Sequence, residues 1–405
     1  MSDPQHDGDQ PPPAKQIRDM DPIAPTNHPW NLPATVNMLH RCDQPEYAVL
    51  VIPREANLPI DARTKRVVAR VSQAVVAVAS YDDRGDMLGC ASGFIAEFDE
   101  SSMTGTVLSS ATVANISTFL GEVDKIRVHL FDGASYDATV AARDDHWNLL
   151  ALSVRFDSVV NTMDMVEISE NTTGHFYPHT QFVHSDTARV TLSPGDTVIG
   201  LGRRPQEPFG LQANRGVYSG ERWANIPRFC QEMQKATFIS TYTAIGGPVI
   251  NTNGRVIGML FHDLDCTPFL PSNVILKWWD HFRNSGKYCR PKIGVFGVNL
   301  RLAQTSAWGN VPKSLYEGFD GFVVEQTSRA VRTVGLQKND LIIQCNGKFV
   351  ATSLQLFEIL AENVEGTVDV TFVKAEGGKK CSVLLPVEET LGGNFHCWPI
   401  SQYNL

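Results

Sequence analysis

Residues 238–260 read FISTYTAIGGPVINTNGRVIGML, short apolar runs separated by small residues and a tight turn. Phe238-Ile239-Ser240 and Val256-Ile257-Gly258-Met259-Leu260 read as strands, because each is brief, apolar and bounded by turn-forming residues. Asn251-Thr252-Asn253-Gly254 is a tight turn whose Asn-Gly pair tolerates the left-handed backbone such turns need. The same rhythm runs upstream through Val75–Ala79, Ser92–Ile95, Thr106–Leu108, Ile126–Leu130, Leu149–Val154 and Thr197–Leu201. Many short strands with turn signals between them predict an all-β barrel or sandwich.

Helical signals flank this region. Ala62–Ala69 reads as a short helix leading in, and Leu276–Phe282 as a closing helix. A second β-rich unit follows, with strands expected at Ile293–Val298, Gly321–Glu325, Asp340–Cys345, Val368–Val373 and Ser382–Leu385. Its one clear helix spans Ser353–Glu362. Thr352-Ser353-Leu354-Gln355 fits a capping box there, and Leu354, Phe357 and Ala361 share one face. The expected organisation is an irregular arm at 1–61, a first domain at 62–288, a second at 289–388 and a tail at 389–405.

Composition narrows the function classes. A chain of 405 residues with 42% hydrophobic and 20% charged residues suits a folded two-domain protein. The net charge of −9 argues against a nucleic-acid partner, and the basic cluster Arg63–Arg70 reads as a solvated helix face. No apolar run approaches the roughly 20 residues a membrane helix needs, so no membrane partner is expected. The opening MSDPQHDGDQPPPAK is polar and lacks a signal core, which leads to an expected cytosolic or nuclear location. Asn115-Ile-Ser117 and Asn171-Thr-Thr173 match the glycosylation pattern but carry little weight without a secretory signal.

Cysteines at 42, 90, 230, 266, 289, 345, 381 and 397 form no CxxC pair, so neither zinc nor redox chemistry is expected. His175 and His179 stand four apart, but Pro178 between them breaks a helical metal pair. No cofactor or metal is expected.

The order of motifs resembles the HtrA (Do-like) family, over roughly residues 62–388. Gly89-Cys-Ala-Ser-Gly-Phe-Ile95 resembles the family's G-x-G-S-G-F-I strand, and KIRVHLFDGASYDATV at 125–140 its strand–turn–strand hairpin. Ser193–Gly202 and Gly246-Gly-Pro-Val-Ile-Asn251 resemble its S-x-G-x-x-V-x-x-I-G and G-G-P-L-V-N segments. Val334–Ile342 resembles the A-G-L-x-x-G-D-x-I of its PDZ domain, with Asn339 at the middle glycine. The resemblance implies a mainly β chain, a chymotrypsin-like double β-barrel followed by a PDZ domain. The lineage resembles the expanded Do-like proteins of plants.

Three positions depart from the family's catalytic pattern. The base position in the family's T-N-x-H-V falls on Thr112, the carboxylate position in D-L-A-V-L on Asn148, and the nucleophile position on Ile245. A glycine that helps form the oxyanion hole falls on Thr243. Loss of a subtilisin-type triad costs about 10⁶ in turnover. The expectation is therefore a non-catalytic pseudoprotease that acts as a peptide- or protein-binding scaffold.

The alternative is a serine-type endopeptidase with relocated catalytic residues. Ser240, Thr241, Thr243, His146 and His262-Asp263 are the polar residues available to it. If His146 lay on a strand with Asn148, a two-residue offset would move its side chain about 6–7 Å, too far to substitute.

The PDZ resemblance implies a groove that captures peptides or protein C-termini by strand addition. Lys292, Ile293, Gly294, Val295 and Phe296 would form the carboxylate loop and strand, with Leu354 and Phe357 on the helix side. The family resemblance also implies a homo-oligomer, or a mixed oligomer with active relatives.

Overall fold

Val75–Tyr81 (VVAVASY, β1) is apolar almost throughout, and in the computed structural model it is covered on both faces. The structure describes residues 61–114, 122–170, 189–206, 208–220, 230, 232–263, 266–286, 288, 290–300 and 320–389. The rest of the expected arm and tail, both glycosylation patterns, the His175/His179 pair, Cys42, Cys289 and Cys397 lie outside the described residues.

Strand β1 sits in a closed antiparallel barrel with β2 (Met87–Asp99), β3 (Thr104–Ser110), β4 (Lys125–His129), β5 (Ser135–Asp144) and β6 (Leu149–Arg155). The order around the barrel is β1-β2-β3-β6-β5-β4, and β4 pairs back onto β1. Side chains alternate in direction along a strand, so one β1 strand serves two cores. Val76 and Val78 join Ile95, Val107, Leu150 and Leu152 in one apolar cluster. Val75 joins Phe94, Leu108, Leu149 and Ala151 in another, shared with the second sheet.

That sheet has six strands: β9 (Thr197–Arg203), β10 (Leu211–Val217), β11 (Gln234–Ala236), β12 (Pro248–Ile250), β13 (Val256–Leu260) and β14 (Thr267–Pro271). Its order is β10-β9-β12-β13-β14-β11, and a bridge between Tyr218 and Ala236 draws its two edges together into a curled half-barrel. Gly200 in β9 and Gly258 in β13 make room for neighbours, the Phe238 ring and the Leu270 backbone respectively. A short parallel pair, β7 (Ile168–Glu170) with β8 (Val190–Leu192), lies between the two sheets in sequence.

The lead-in helix α1 covers Ala62–Val71, where Asp61 accepts hydrogen bonds from the Arg63 and Thr64 amides at 2.9 Å. This is an N-cap that satisfies donors a helix leaves orphaned. The closing helix α2 runs Ser272–Ser285, longer at both ends than the periodicity predicts, and ends on Gly286 in the left-handed conformation.

One expected strand is absent. Phe238–Ser240 has no ladder partner; β11 stops at Ala236. Side chains take over the backbone there: the Thr267 hydroxyl donates to the Phe238 carbonyl at 2.8 Å, and the Ser240 hydroxyl to the Phe261 carbonyl at 2.8 Å. An apolar pair followed by serine is equally suited to packing without a ladder, which is what Phe238 does against Gly200 and Gly216.

A distinct C-terminal domain follows. Strands β16 (Val295–Asn299), β17 (Phe322–Thr327), β18 (Leu341–Cys345), β20 (Thr367–Val373) and β21 (Lys380–Pro386) form one sheet in that order, with β19 (Lys348–Phe349) on β18. Strands β15 (Pro291–Lys292) and β22 (Glu388–Glu389) pair separately. Helix α3 spans Arg329–Thr333, and α4 spans Ser353–Ala361 with the Thr352 hydroxyl accepting from the Gln355 amide. Among the described residues no helix is long and apolar enough to cross a membrane. The architecture is mainly β: a closed barrel, a curled half-barrel and a separate β-rich domain.

Candidate active site between the barrels

The three positions singled out by motif are brought to one place. Strand β3 ends at Ser110, and the following 3-10 turn Ala111–Ala114 carries Thr112. Asn148 is fully buried before β6, with φ of 56°, a conformation asparagine tolerates better than most side chains. The Asn148 amide donates to Thr112 Oγ1 at 2.9 Å, and the Ser110 hydroxyl donates to the same oxygen at 2.8 Å. His146 lies in the turn before β6, not on a strand with Asn148, so the expected strand offset does not apply.

Ile245 follows the 3-10 turn Tyr242–Ala244 and is buried. Its carbonyl accepts from the Ser92 amide at 2.8 Å. Gly246 has φ of 84°, and a Cβ there would stand 2.6 Å from the Ser110 nitrogen, so this turn presses directly on the Ser110–Thr112–Asn148 group. The amides of Ala244, Ile245, Gly246 and Gly247 donate to the carbonyls of Thr241, Tyr242, Leu260 and Ala244.

The structure adds a histidine that motif position alone does not reveal. His262 Nδ1 lies 2.8 Å from the Ser240 carbonyl. A carbonyl only accepts, so Nδ1 carries the proton and Nε2 is left as a base. Burial pushes His262 below the usual histidine range, partly countered by the Ser240 bond and by Asp263. Three hydroxyls belong to the adjoining segment. Ser240 is committed to the Phe261 carbonyl; Thr241 bonds Gln212 Oε1 at 2.6 Å and lies 3.3 Å from the Thr243 hydroxyl. Thr241 alone of the three is not buried. Tyr242 meets the His262 ring edge-on at 6.0 Å.

A histidine and a serine also stand opposite each other on the backbone ladder of the first barrel. His129 is the cross-strand partner of Ser135 where β4 meets β5. Its Nε2 lies 2.9 Å from the Tyr81 hydroxyl, and its ring stacks on Phe209 at 4.3 Å.

The residues expected to bind peptides divide into two settings. Lys292 pairs with Glu388, Ile293 is buried, and Gly294 has φ of 69° with Ser328 so close that a Cβ would meet its Oγ at 2.6 Å. Val295 and Phe296 pair with Thr327 and Gln326, and β16 is the outermost strand of its sheet. Asn299 Oδ1 accepts from the Ser353 amide at 2.8 Å, which fixes α4 beside that strand. Leu354 and Phe357, however, belong to the apolar cluster of the barrels, where Phe357 meets Trp147.

Residues 91–259 match the family model described as Trypsin-like peptidase domain, and the fold is trypsin-like. Among curated proteins the chain is similar to Serine protease Do-like HtrA of Bacillus subtilis (strain 168), at 24% identity over 65% of this chain and 57% of the relative. It is also similar to Serine protease Do-like HtrA of Lactococcus lactis subsp. cremoris (strain MG1363), at 24% identity over 79% of this chain and 82% of the relative. A Probable periplasmic serine endoprotease DegP-like of Chlamydia pneumoniae is 30% identical over 58% of this chain and 44% of its own. Among solved structures, HtrA-type protease AlgW with tripeptide covers 81% of this chain and 97% of its own, at 16% identity and a TM-score of 0.53.

These findings correct three expectations. The non-catalytic reading gives way, because the relatives spanning most of the chain are described as serine proteases. The structure also anchors His262 on the Ser240 backbone carbonyl, where the sequence shows only scattered polar residues. The cytosolic or nuclear location gives way too, since the Chlamydia relative is described as periplasmic and a polar opening stretch does not identify a compartment. The expected plant branch finds no support in these relatives, which come from bacteria and also from vertebrates, among them Serine protease HTRA1 of Xenopus laevis.

Proposed function

We propose that the chain is a serine-type endopeptidase of the Do-like kind whose catalytic groups stand away from the family's usual positions. The observation that carries this is His262: its Nδ1 is anchored on the Ser240 carbonyl, its Nε2 is unprotonated, and the partly exposed Thr241 belongs to the same segment. An imidazole kept neutral at working pH suits a general base, and a backbone carbonyl can orient it as a carboxylate does elsewhere. Thr241 is the proposed nucleophile, and the segment leads directly into the Gly246-Gly247-Pro248 turn that resembles the family's post-nucleophile stretch.

The C-terminal domain is proposed to be a PDZ domain, with Lys292–Phe296 offering a strand edge to peptides or protein C-termini. Among the described residues β16 ends the strand order of its sheet, which supports strand addition. By likeness to its relatives, the chain is proposed to act in an envelope or secreted compartment and to assemble with copies of itself or with relatives.

The test is fluorophosphonate labelling of the pure chain with the modified residue mapped, beside unfolded casein and an active relative. Labelling at Thr241 that disappears in His262→Ala is the expected result. Labelling at Ser135 that depends on His129 would move the active site to the first barrel. Absence of both labelling and cleavage, with the relative active, would overturn the endopeptidase reading.

A further inference from the structure

His146, Cys230 and Glu232 come from two places in the chain, yet their nitrogen, sulfur and carboxylate atoms all lie within 4.8 Å of one another. We propose that these three side chains form a binding site for a divalent cation of the zinc class, outside the candidate catalytic group. Imidazole nitrogen, thiolate and carboxylate are the donors zinc takes, and three of them leave its fourth tetrahedral position open.

The geometry is close to what the metal requires. Zinc–sulfur and zinc–oxygen bonds of about 2.3 and 2.0 Å at a tetrahedral angle set the two ligand atoms about 3.5 Å apart. Cys230 Sγ and Glu232 Oε2 already stand at 3.4 Å. His146 is the ligand that has to close the remaining distance. Its turn is held by Asp144, whose Oδ1 accepts from the His146 and Trp147 amides at 2.9 Å.

Charge favours a dication as well. Without metal the Cys230 thiol donates its proton in a hydrogen bond to Glu232 Oε2. Binding exchanges that proton for the metal: the S–H bond breaks, the proton leaves to solvent, and the sulfur lone pair forms the new bond. One thiolate and one carboxylate then neutralise the dication, which buried charge requires. The nearby Arg290 does not upset this balance, because it is already paired with Asp144 at 3.0 Å and lies over the Trp147 ring at 4.8 Å. Such a site would tie the β5–β6 turn of the first barrel to the segment entering β11.

The test uses the tag-free full chain, reduced and stripped of metal, titrated with cobalt(II) as a spectroscopic probe and with zinc(II) in competition. One equivalent of cobalt is expected, with a thiolate-to-cobalt charge-transfer band that zinc abolishes. Cys230→Ser should remove the band, and His146→Ala and Glu232→Gln should each weaken binding by about tenfold or more, since changing even the partners of a ligand costs about 10–100-fold. Glu232→Gln is the mildest of these changes and keeps the test open if Cys230→Ser fails to fold. No band, a band that survives in Cys230→Ser, or an affinity unchanged from the wild type in His146→Ala and Glu232→Gln would overturn the proposal.

Discussion

Phe357 of helix α4 meets the indole of Trp147 edge-on, with ring centroids 5.6 Å apart and planes at 86°. One residue belongs to the C-terminal domain and the other to the turn that positions Asn148. The aromatic pair therefore joins the two domains at the edge of the candidate site. Phe357→Ala should cost about 3–5 kcal/mol, the usual range for emptying a buried phenylalanine site. Urea denaturation followed by tryptophan fluorescence checks this, and the variant's transition should split as the domains lose their coupling.

Glu358, next along the helix, accepts a hydrogen bond from the Asn273 amide at 2.6 Å. Burial raises its carboxyl above the ordinary value of 4.5, with Asn273 and Arg189 pulling the other way. A raised folded pKa means the folded state holds the proton more tightly. Its contribution is full below the unfolded pKa and declines as pH rises through the folded one. Glu358→Gln should thus flatten the loss of stability between pH 4.5 and neutrality, read from denaturation midpoints across that window.

Arg203 is buried, with Nε on the Val75 carbonyl at 2.9 Å and a terminal nitrogen on the Ser72 carbonyl at 2.7 Å. It connects β9 of the second sheet to the start of the first barrel. Lysine offers a point charge in place of a planar fork and cannot reach both carbonyls in the same geometry. Arg203→Lys is expected to destabilise by about 2–3 kcal/mol, measured by thermal or urea unfolding.

Gly247 leaves no room for a side chain: a Cβ would fall 2.0 Å from the Leu201 carbonyl oxygen. Backbone cannot yield as a flexible side chain can. Gly247→Ala should cost about 3 kcal/mol or more, near the limit many domains tolerate. Soluble yield and the melting temperature of the purified variant check this.

Most strands were legible because their burial follows simple rules. Val75–Ala79 is continuous in apolar residues since both its faces are covered, and Val256–Leu260 for the same reason. The α4 capping box was readable because Thr352 and Gln355 act locally. Phe238–Ser240 misleads because a short, mostly apolar run does not say whether its carbonyls will find a ladder or a threonine hydroxyl. The motif order located Thr112, Asn148 and Ile245, and the fold brings their neighbourhoods together. His262 was visible only as a residue after a strand, since its bond to Ser240 depends on how two loops meet. No local pattern records that the distant segments carrying Cys230 and His146 converge.

Ser92 bears on how the molecule can move. Its amide donates to the Ile245 carbonyl, its hydroxyl donates to the Thr243 carbonyl, and that same oxygen accepts from the Arg203 amide. Its own carbonyl receives the Ser109 hydroxyl at 2.7 Å. A single small side chain thus rivets the first barrel to both the 241–247 turn and β9. Rotating the barrels apart would break the bonds to Ile245, Thr243 and Arg203 at once, in a place water cannot reach to replace them. The bonds of Ser92 thus couple any shift of the 241–247 turn to both barrels.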